Sequence, residues 1–256
     1  AMYRQIREIT GDRERSGLNM PIIKDIKIPL PPIEVQQQIV DELEGYQKII
    51  DGCRQVVENY KPTIDIDPSW EMVELGKVCK TSSGGTPLKS NKKFYDGGVI
   101  PWMTSGEVNQ GIITKIKQTI TQEGLDNSSA KIFDVNTVCV AMYGATVGKV
   151  GLLKVQSSTN QAVCGIFPGS DYLPEFLYYI LRSKEEEMIS RSVGGAQPNI
   201  SQTIIKSLKI PIIPLVEQQT VVERISEIYK FIEGNKRLME IYTQKIHDRI
   251  NKVWGE

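Results

Sequence analysis

IIKDIKIPLPPIEVQQQIVDEL at residues 22–43 and IIKSLKIPIIPLVEQQTVVERI at residues 204–225 are two copies of one stretch, separated by a constant shift of 182 positions. We call them the first and second repeats. Ten of the 22 aligned positions are identical, and most others are conservative exchanges such as Ile26 with Leu208. Each repeat combines a short apolar run, a proline-punctuated segment and a Gln-Gln pair that opens a helical pattern. The duplication predicts two equivalent elements that frame a large insert.

A coiled-coil helix is predicted after each repeat. Apolar positions spaced 4-3 over about three heptads are typical of the buried seam of a coiled coil. In the first helix these positions are Ile39, Leu43, Tyr46, Ile50, Cys53, Val57 and Tyr60. In the second helix they are Val221, Ile225, Ile228, Ile232, Asn235, Met239, Tyr242 and Ile246. Because the first seven of these are the first seam shifted by 182, we expect two equivalent helices that pack on each other or on equivalent partners.

Between the helices, the sequence predicts a mixed, β-rich insert. Strand-like segments alternate with loops rich in Gly, Ser, Thr and Asn. The segments cover residues 71–79, 99–104, 115–120, 136–142, 149–153 and 162–167. Two helices are expected, one over 174–183 that continues to about 192, and a short one after residues 199–201. The prolines of residues 21–32 favour an extended segment there rather than a helix interior.

The composition is that of an ordinary globular protein, with 256 residues, 40% hydrophobic and 24% charged. The sequence contains no run of about 18 apolar residues, which a membrane span would need. Its N-terminal part also lacks the apolar stretch of a secretory signal, so we expect a cytoplasmic protein. The four cysteines form no CxxC pair and His247 is the sole histidine, which argues against a zinc site or a disulfide framework. The zero net charge neither indicates nor excludes a nucleic-acid partner.

Three polar loops of the insert are candidates for contact with DNA. TSSGGTPLKSNKK at residues 81–93, the GGTP loop, offers backbone N–H groups, hydroxyls and lysines to phosphates. PWMTSGEVN at residues 101–109, the strand-end loop, presents donors and acceptors suited to base edges, with Trp102 expected to pack inside. AMYGATVGKVG at residues 141–151, the glycine turn, permits close approach of another backbone. The alternative for the GGTP loop is a solvated surface segment, and the glycine turn does not match the dinucleotide-binding motif GxGxxG.

A fourth polar segment, SVGGAQPNIS at residues 192–201, precedes the second repeat. Its amides, Gln197 and Asn199, are suited either to reading adenine or to capping the next helix, and capping is favoured for Asn199. No motif points to catalysis: Walker A, the methyltransferase signature [DN]PP[YFW] and a Ser/His/Asp set are all absent from the sequence. The acidic run 185–187 is interpreted as a solvated helix face.

The repeated IPLPPIEVQQQIV and IPIIPLVEQQTVV, the insert start WEMVELGKVCKTSSGGTP, and the turn GATVGKVG together resemble type I restriction-modification specificity subunits. The resemblance covers nearly the whole chain. It implies a non-catalytic subunit without cofactors that selects double-stranded DNA for methyltransferase subunits and, through them, a restriction subunit. It also implies an α+β fold, in which a mixed β-rich target-recognition domain accompanies a long antiparallel two-helix coiled coil. The alternative is a coiled-coil adaptor that binds only proteins.

The chain departs from the family pattern because it carries both conserved helices but one complete target-recognition domain. We expect residues 1–33 to be the remnant of an upstream domain with a proline-rich connector, followed by the first helix at 34–62, the target-recognition domain at 63–215 and the second helix at 216–254. A half-subunit of this kind is expected to associate with itself through its helices and to recognise a palindromic split site. A helix of about 27 residues spans roughly 40 Å, close to one turn of B-DNA.

Family roles carried onto matching positions, together with Gln197 of the fourth polar segment, give two sets of residues. The expected DNA contacts are Ser83, Gly84, Gly85, Thr86, Lys89, Lys92, Lys93, Thr104, Ser105, Glu107, Tyr143, Thr146, Lys149 and Gln197. The expected partner and dimer contacts are the seam residues Ile39, Leu43, Tyr46, Ile50, Val57, Tyr60, Val221, Ile225, Ile228, Ile232, Met239, Tyr242 and Ile246.

Overall fold

The computed structural model describes residues 20–60, 64, 66–194 and 198–255. The chain divides into two compact units, a helical unit of residues 1–62 with 227–256 and an insert unit of residues 63–226. Residues 1–19, for which the sequence predicts the end of an upstream domain, lie outside the described residues. No helix in the described part of the chain is both long and apolar enough to cross a membrane.

The helical unit is an antiparallel pair formed by α2 and the C-terminal part of α8. Within the described residues its helices are α1 at Met20–Asp25, α2 at Ile33–Asn59 and α8 at Leu215–Trp254. The ring of Tyr46 lies 5.4 Å from that of Tyr242, and Glu42 Oε2 accepts from Arg249 Nε at 2.7 Å. Because Glu42 precedes Tyr46 whereas Arg249 follows Tyr242, the helices run in opposite directions. The predicted coiled coil is therefore confirmed.

Burial follows the predicted seam along most of its length. Ile50, Cys53 and Ile232 are buried, and the neighbouring seam positions are half-buried. Tyr60 is the exception, because α2 ends at Asn59 and 51% of the Tyr60 side chain stays exposed. The assignment of Tyr60 to the seam is therefore wrong.

The two repeats begin their helices in the same way. The carbonyl of Pro32 accepts from the N–H groups of Val35 and Gln36, and the carbonyl of Pro214 accepts from those of Glu217 and Gln218. Since a prolyl residue cannot donate a backbone hydrogen bond, it is tolerated at this boundary. Helix α2 thus starts at Ile33 and α8 at Leu215, which are again 182 positions apart.

The stretch before α2 differs from the prediction. Residues 21–32 are expected to be extended, but Met20–Asp25 forms helix α1. Pro21 lies in the first turn of α1, where the missing N–H group costs no intrahelical bond. Only residues 26–32 carry neither helix nor strand.

The described residues of the insert unit form three sheets. Its strands are β1 Glu71–Glu74, β2 Lys80–Ser83, β3 Ile100–Met103, β4 Ile112–Ile113, β5 Thr119–Ile120, β6 Ile132–Phe133, β7 Val138–Ala141, β8 Val150–Leu153, β9 Ser157–Thr159, β10 Val163–Phe167 and β11 Lys209–Ile212. The strand orders are β1-β11, β2-β10-β7-β8-β4 and β5-β3-β9-β6. All pairs are antiparallel except β4 with β8 and β3 with β9. With the helices, this confirms the predicted α+β class.

Short helices complete the insert unit. They are α3 Leu75–Val78, α4 Gln122–Asp126, α5 Pro174–Ser183, α6 Glu185–Ser190 and α7 Gln202–Lys206, with 3-10 turns at Lys92–Phe94 and Ser105–Gln110. Three predicted segments need correction. The strand expected over 71–79 gives way to α3 after Glu74. The strand expected over 115–120 is limited to β5 at Thr119–Ile120. The helix expected to continue to about 192 is interrupted at Lys184, whose N–H donates to Leu181 O.

The main core lies between the five-stranded sheet and its neighbours. Strands β7, β8 and β10 are almost entirely buried, and α5 packs against β8. Phe133 meets Phe167 edge to face at 5.4 Å. Full burial of such a side chain contributes about 1.5–3 kcal/mol, so this core fixes the ends of the strands from which the candidate loops project.

Candidate nucleic-acid interface

Residues 160–162, which we call the junction loop, connect β9 of the four-stranded sheet to β10 of the five-stranded sheet. Its backbone bonds to two of the candidate loops. Asn160 N donates to Met103 O of the strand-end loop at 2.9 Å, and Met142 N of the glycine turn donates to Ala162 O at 2.8 Å. The GGTP loop is fixed beside it, since Gly85 N donates to Thr159 O at 2.8 Å. The three candidate loops are therefore brought together around one connection.

The two glycines of the GGTP loop are buried structural residues. A Cβ at Gly84 would lie 2.3 Å from Thr159 O, and one at Gly85 would lie 2.3 Å from Ala130 N. The carbonyl of Gly85 accepts from Trp102 Nε1 at 3.0 Å, which confirms Trp102 as a packed residue. Both glycines are buried, so this geometry does not support the expectation that Gly84 and Gly85 contact DNA.

The three lysines of the GGTP loop face solvent. Lys89, Lys92 and Lys93 are exposed, and none forms an ion pair with an acidic side chain among the described residues. Their backbone is held in place, since Asn91 Oδ1 caps the following turn by accepting from Lys93 N at 3.2 Å. They supply uncompensated positive charge at a fixed position.

The hydroxyls at the start of the GGTP loop already have partners. Ser83 Oγ accepts from Gln202 Nε2 of α7, and Thr86 Oγ1 donates to Gln161 Oε1 of the junction loop. Both side chains are half-buried. They therefore hold the loop against its neighbours and expose part of their surface.

Glu107 of the strand-end loop has a structural role. With Thr104 it forms a capping box, in which Glu107 Oε2 accepts from Thr104 N at 3.1 Å. Its other oxygen accepts from Lys117 N at 2.9 Å. Because both carboxylate oxygens accept backbone donors, the expectation that Glu107 reads DNA is not supported by this geometry.

The glycine turn lies against the strand-end loop. Thr146 Oγ1 donates to Ser105 O at 2.9 Å. Gly148 has φ 81, and a Cβ there would lie 2.8 Å from the side chain of Ile189. Lys149, expected to face DNA, instead pairs with Glu185 Oε2 at 2.8 Å. Its ammonium is thus neutralised by α6, which also shows that the acidic run is partly engaged rather than simply solvated.

Tyr143 lies at the edge of the glycine turn and is half-buried. Burial raises the pKa of its hydroxyl above the ordinary value, and a hydrogen bond with the Gln161 side chain opposes that rise. The phenol is therefore neutral at physiological pH and available as a donor and acceptor.

Two open clefts lie in the insert unit, one beside the junction loop and one beside the glycine turn. One, of about 400 Å³, is lined by residues that include Thr86, Lys89, Thr104 and Gln161. The other, of about 920 Å³, is lined by Tyr143, Val147 and residues 198–201. The smaller cleft is lined mainly by polar side chains, whereas the larger one combines apolar walls with a few polar groups.

The fourth polar segment departs from expectation at one residue. Gln197 lies outside the described residues. The cap of α7 is Ser201, whose Oγ accepts from Ile204 N, so the prediction that Asn199 is the cap is wrong. Asn199 instead exchanges backbone hydrogen bonds with Val193.

No group of three or more His, Cys, Asp or Glu side chains in the described ranges could hold a metal ion. The four cysteines are buried and unpaired. Burial raises the pKa of the Cys164 thiol to about 12, so this thiol stays protonated and unreactive.

Sequence reasoning missed the junction loop. Its residues, Asn160 and Gln161, follow a short strand without apolar alternation, and no local pattern distinguishes them from other polar turns. The signal lies in contacts between residues distant in sequence, such as Thr86 with Gln161.

The sequence profile of the family described as "Type I restriction modification DNA specificity domain" matches residues 1–59 and 68–241. The chain is 24% identical over 234 residues to the type I restriction enzyme EcoR124I/EcoR124II specificity subunit of Escherichia coli, covering 83% of this chain and 57% of the relative. It is 31% identical over 181 residues to the HindI specificity subunit of Haemophilus influenzae, covering 67% of this chain and 39% of the relative. The chain thus spans about half the length of these curated relatives.

A crystal structure of the HsdS subunit from Thermoanaerobacter tengcongensis has the same fold, with a TM-score of 0.58 at 18% identity over 98% of this chain and 66% of that one. A chain from a study of assembly and conformational transition of the type I R-M system superposes with a TM-score of 0.67, also at 18% identity, over 98% of this chain and 67% of that one. The sequence profile covers more than half of the residues. The chain therefore belongs to the family of type I restriction-modification DNA specificity domains.

Proposed function

We propose that this chain is a non-catalytic specificity subunit that reads one half of a split target in double-stranded DNA. The observation that carries the proposal is the convergence of the GGTP loop, the strand-end loop and the glycine turn on the junction loop. Residues far apart in sequence thereby form one polar surface beside exposed lysines. Methyl transfer and cleavage are assigned to partner subunits of the complex, in the cytoplasm, and no cofactor is assigned to this chain.

The proposed contacts fall into two classes. Lys89, Lys92 and Lys93 neutralise phosphates, because they are exposed and form no ion pair with an acidic side chain among the described residues. Polar side chains nearer the clefts are positioned for base edges or sugar-phosphate oxygens. This second class contains Ser83, Thr86, Thr104, Ser105, Tyr143 and Thr146.

Modification subunits are proposed to dock on the helical unit, and a restriction subunit to join through them. The seam is occupied within the chain, as the contact of Tyr46 with Tyr242 illustrates. A separate apolar stripe on α8 stays open: Phe231, Leu238 and Ile241 are 62%, 42% and 43% exposed. Their 7-3 spacing puts them on one face of the helix. That stripe, rather than the seam residues expected from sequence, is the proposed docking surface.

A second reader is proposed to come from a second copy of the chain. Ile28 and Leu30 of the first repeat are 69% and 82% exposed, whereas Ile210, the equivalent of Ile28, is fully buried in the insert unit. The target-recognition domain buries Ile210 of the second repeat, whereas the equivalent side chain of the first repeat is exposed. The exposed apolar side chains of the first repeat are therefore available to contact a second copy. Two copies would then recognise a palindromic split site.

The phosphate contacts are tested by filter binding of a random-sequence duplex over a range of salt concentrations. Replacing Lys89, Lys92 and Lys93 by Ala should reduce the slope of log affinity against log salt by about 0.9 per lysine that contacts a phosphate. A matched triple variant replaces Lys77, Lys209 and Lys236, which already pair with Glu74 or Glu233. Equal slopes for the two variants would contradict DNA contact by the GGTP loop and favour a protein-binding adaptor.

Self-association is tested separately by sedimentation at micromolar concentration. We expect a dimer that weakens when Ile28 and Leu30 are replaced by Ser, because those substitutions remove exposed apolar surface. Only monomer in the unmodified protein would contradict the second-copy proposal, while leaving DNA recognition by one domain untouched.

A further inference from the structure

The junction loop is a rigid platform for a side chain. Besides its bonds to Met103 and Met142, it closes on itself: Val163 N donates to Asn160 O at 3.2 Å, and Ala162 N donates to Asn160 Oδ1 at 3.1 Å. The flanking residue Ala162 is buried, as is Thr159. A group carried on such a backbone is held in place before any ligand arrives, which lowers the entropy lost on binding.

Gln161 is the exposed residue of this loop. Its side-chain oxygen, Oε1, accepts a hydrogen bond from Thr86 Oγ1 of the GGTP loop. The other amide of the loop, Asn160, is already engaged through Oδ1 with Ala162 N. Gln161 is therefore a solvent-facing amide whose oxygen is held by the GGTP loop.

The amide retains hydrogen-bonding capacity after these contacts. A glutamine oxygen has two acceptor sites and its nitrogen has two donor hydrogens, so the amide keeps an acceptor site and donor hydrogens for a ligand beyond its bond to Thr86. The oxygen and nitrogen of one amide group can bind N6–H and N7, respectively, on the major-groove edge of adenine. Lys89 lines the same cleft and is suited to anchor the adjoining phosphate.

We infer that Gln161 is a specificity-determining residue that reads an adenine of the half-site through the major groove. The inference rests on the proposed function and goes further, since it names a base, a groove and a residue outside the loops expected to contact DNA. Thr86 acts as a positioning residue because it orients the amide and need not touch the base.

The experiment selects preferred duplexes from a random pool, using the complex reconstituted with its modification subunits. The chains compared are the unmodified protein, Gln161→Ala, Gln161→Glu, Thr86→Val and the control Gln156→Ala. Gln156 is also an exposed glutamine on a loop, and it bonds to Asp134 Oδ1 at 2.7 Å, away from the junction loop. Circular dichroism and thermal melting monitor folding of each variant.

Gln161→Ala should lose the preference for an A·T pair at one position by about 5- to 150-fold, the range of a bidentate contact, while the other positions keep theirs. Gln161→Glu should shift that position towards C·G, since a carboxylate accepts from cytosine N4. Thr86→Val should weaken discrimination at the same position, and Gln156→Ala should select the same half-site as the unmodified protein.

An unchanged half-site in both Gln161 variants would overturn the inference and leave the proposed function standing. If Gln161→Ala bound no DNA, the base preference of Gln161→Glu would test the inference. A retained A·T preference would contradict it, and a shift to C·G would support it. If the unmodified protein selected no sequence, the proposed function would fail, and the inference with it.

Discussion

Gln218 Nε2 donates to the carbonyl of Ile213 at 2.9 Å, and Gln36 Nε2 donates to the carbonyl of Pro31 at 2.7 Å. Both donor and acceptor are related by the shift of 182. In each repeat a glutamine in the first turns of the long helix binds the carbonyl five residues earlier. The first glutamine of each Gln-Gln pair therefore fixes the proline-punctuated segment onto its own helix.

The two glutamines differ in burial, and we expect their replacement to differ in cost. Gln218 is fully buried, and its amide also accepts from Leu173 N at 2.8 Å and donates to Asp171 O at 2.7 Å. Gln218→Ala leaves these backbone groups without a partner and should lower the free energy of unfolding by roughly 2–4 kcal/mol in urea denaturation.

The neighbouring Gln219 supplies the control. It is exposed and bonds to Glu223, so Gln219→Ala should change the free energy of unfolding by less than about 0.5 kcal/mol. The half-buried Gln36 should give an intermediate loss. Equal losses for Gln218→Ala and Gln219→Ala would contradict the assigned structural role.

The repeat explains how much of the fold could be predicted. Both long helices, their seam and the larger strands have periodic patterns, and the structure has them within a few residues of the expected bounds. Helix α1 begins at Met20 and α7 at Gln202, which are again 182 positions apart. The sequence predicts α7 but not α1, because the prolines of residues 21–32 favour an extended segment. Strands of two residues, such as β4 and β6, are too short for alternation to appear.

The candidate site was predictable as a set of loops but not at the level of side chains. Whether a loop residue faces solvent depends on contacts with distant parts of the chain. Gly85 is buried by Ser129 and Ala130, and Lys149 is neutralised by Glu185, and neither partner is visible in the local pattern. The same dependence on tertiary contacts kept Gln161 from being recognised.

The packing of the GGTP loop leads to a prediction about stability. A Cβ at Gly85 would lie 2.3 Å from the backbone at Ser129 and Ala130, which cannot move as a flexible side chain could. Gly85→Ala should therefore lower the free energy of unfolding by at least about 2 kcal/mol, measured by urea denaturation.

Gly45 provides the opposite case in the same measurement. It lies within α2, and a Cβ there would meet open space. Gly45→Ala should stabilise the protein by about 0.5–1 kcal/mol, because alanine loses less backbone entropy in a helix. A Gly85→Ala protein as stable as the unmodified one would show that the loop backbone is not packed as described.

The ion pair of Glu42 with Arg249 should make the stability of the helix pair depend on pH. Hydrogen bonds from Tyr46 and from Arg249 hold the pKa of the Glu42 carboxyl below its ordinary value. A carboxyl whose folded-state pKa is lowered stabilises the fold above its unfolded pKa, and this contribution is lost as pH falls through the folded value.

Thermal melting from pH 7 to pH 3 tests this prediction. Glu42→Gln should melt below the unmodified protein at pH 7, and the difference should shrink as the pH falls below about 4.3, the ordinary value for glutamate. Glu44, exposed on the same helix, gives the control Glu44→Gln, for which we expect a much smaller difference at every pH. A constant difference across this range would mean that Glu42 acts by packing rather than through its charge.

Lys149 and Lys89 are both expected from the sequence to contact DNA, but only Lys89 is among the proposed contacts. Replacing each lysine therefore tests the proposed contacts against the expectation from sequence. Lys149 is bonded to Glu185 across a half-exposed ion pair, with side chains 44% and 19% exposed, whereas Lys89 is exposed and lines the cleft beside the junction loop. Lys149→Ala should leave the affinity for a random duplex within about twofold and lower the free energy of unfolding by no more than about 1 kcal/mol. Lys89→Ala should instead reduce affinity and the salt slope, by about 0.9, without changing stability.

Filter binding and urea denaturation of the two variants distinguish the cases. A loss of affinity confined to Lys149→Ala would mean that the ion pair opens when DNA binds and that the glycine turn carries the phosphate contact.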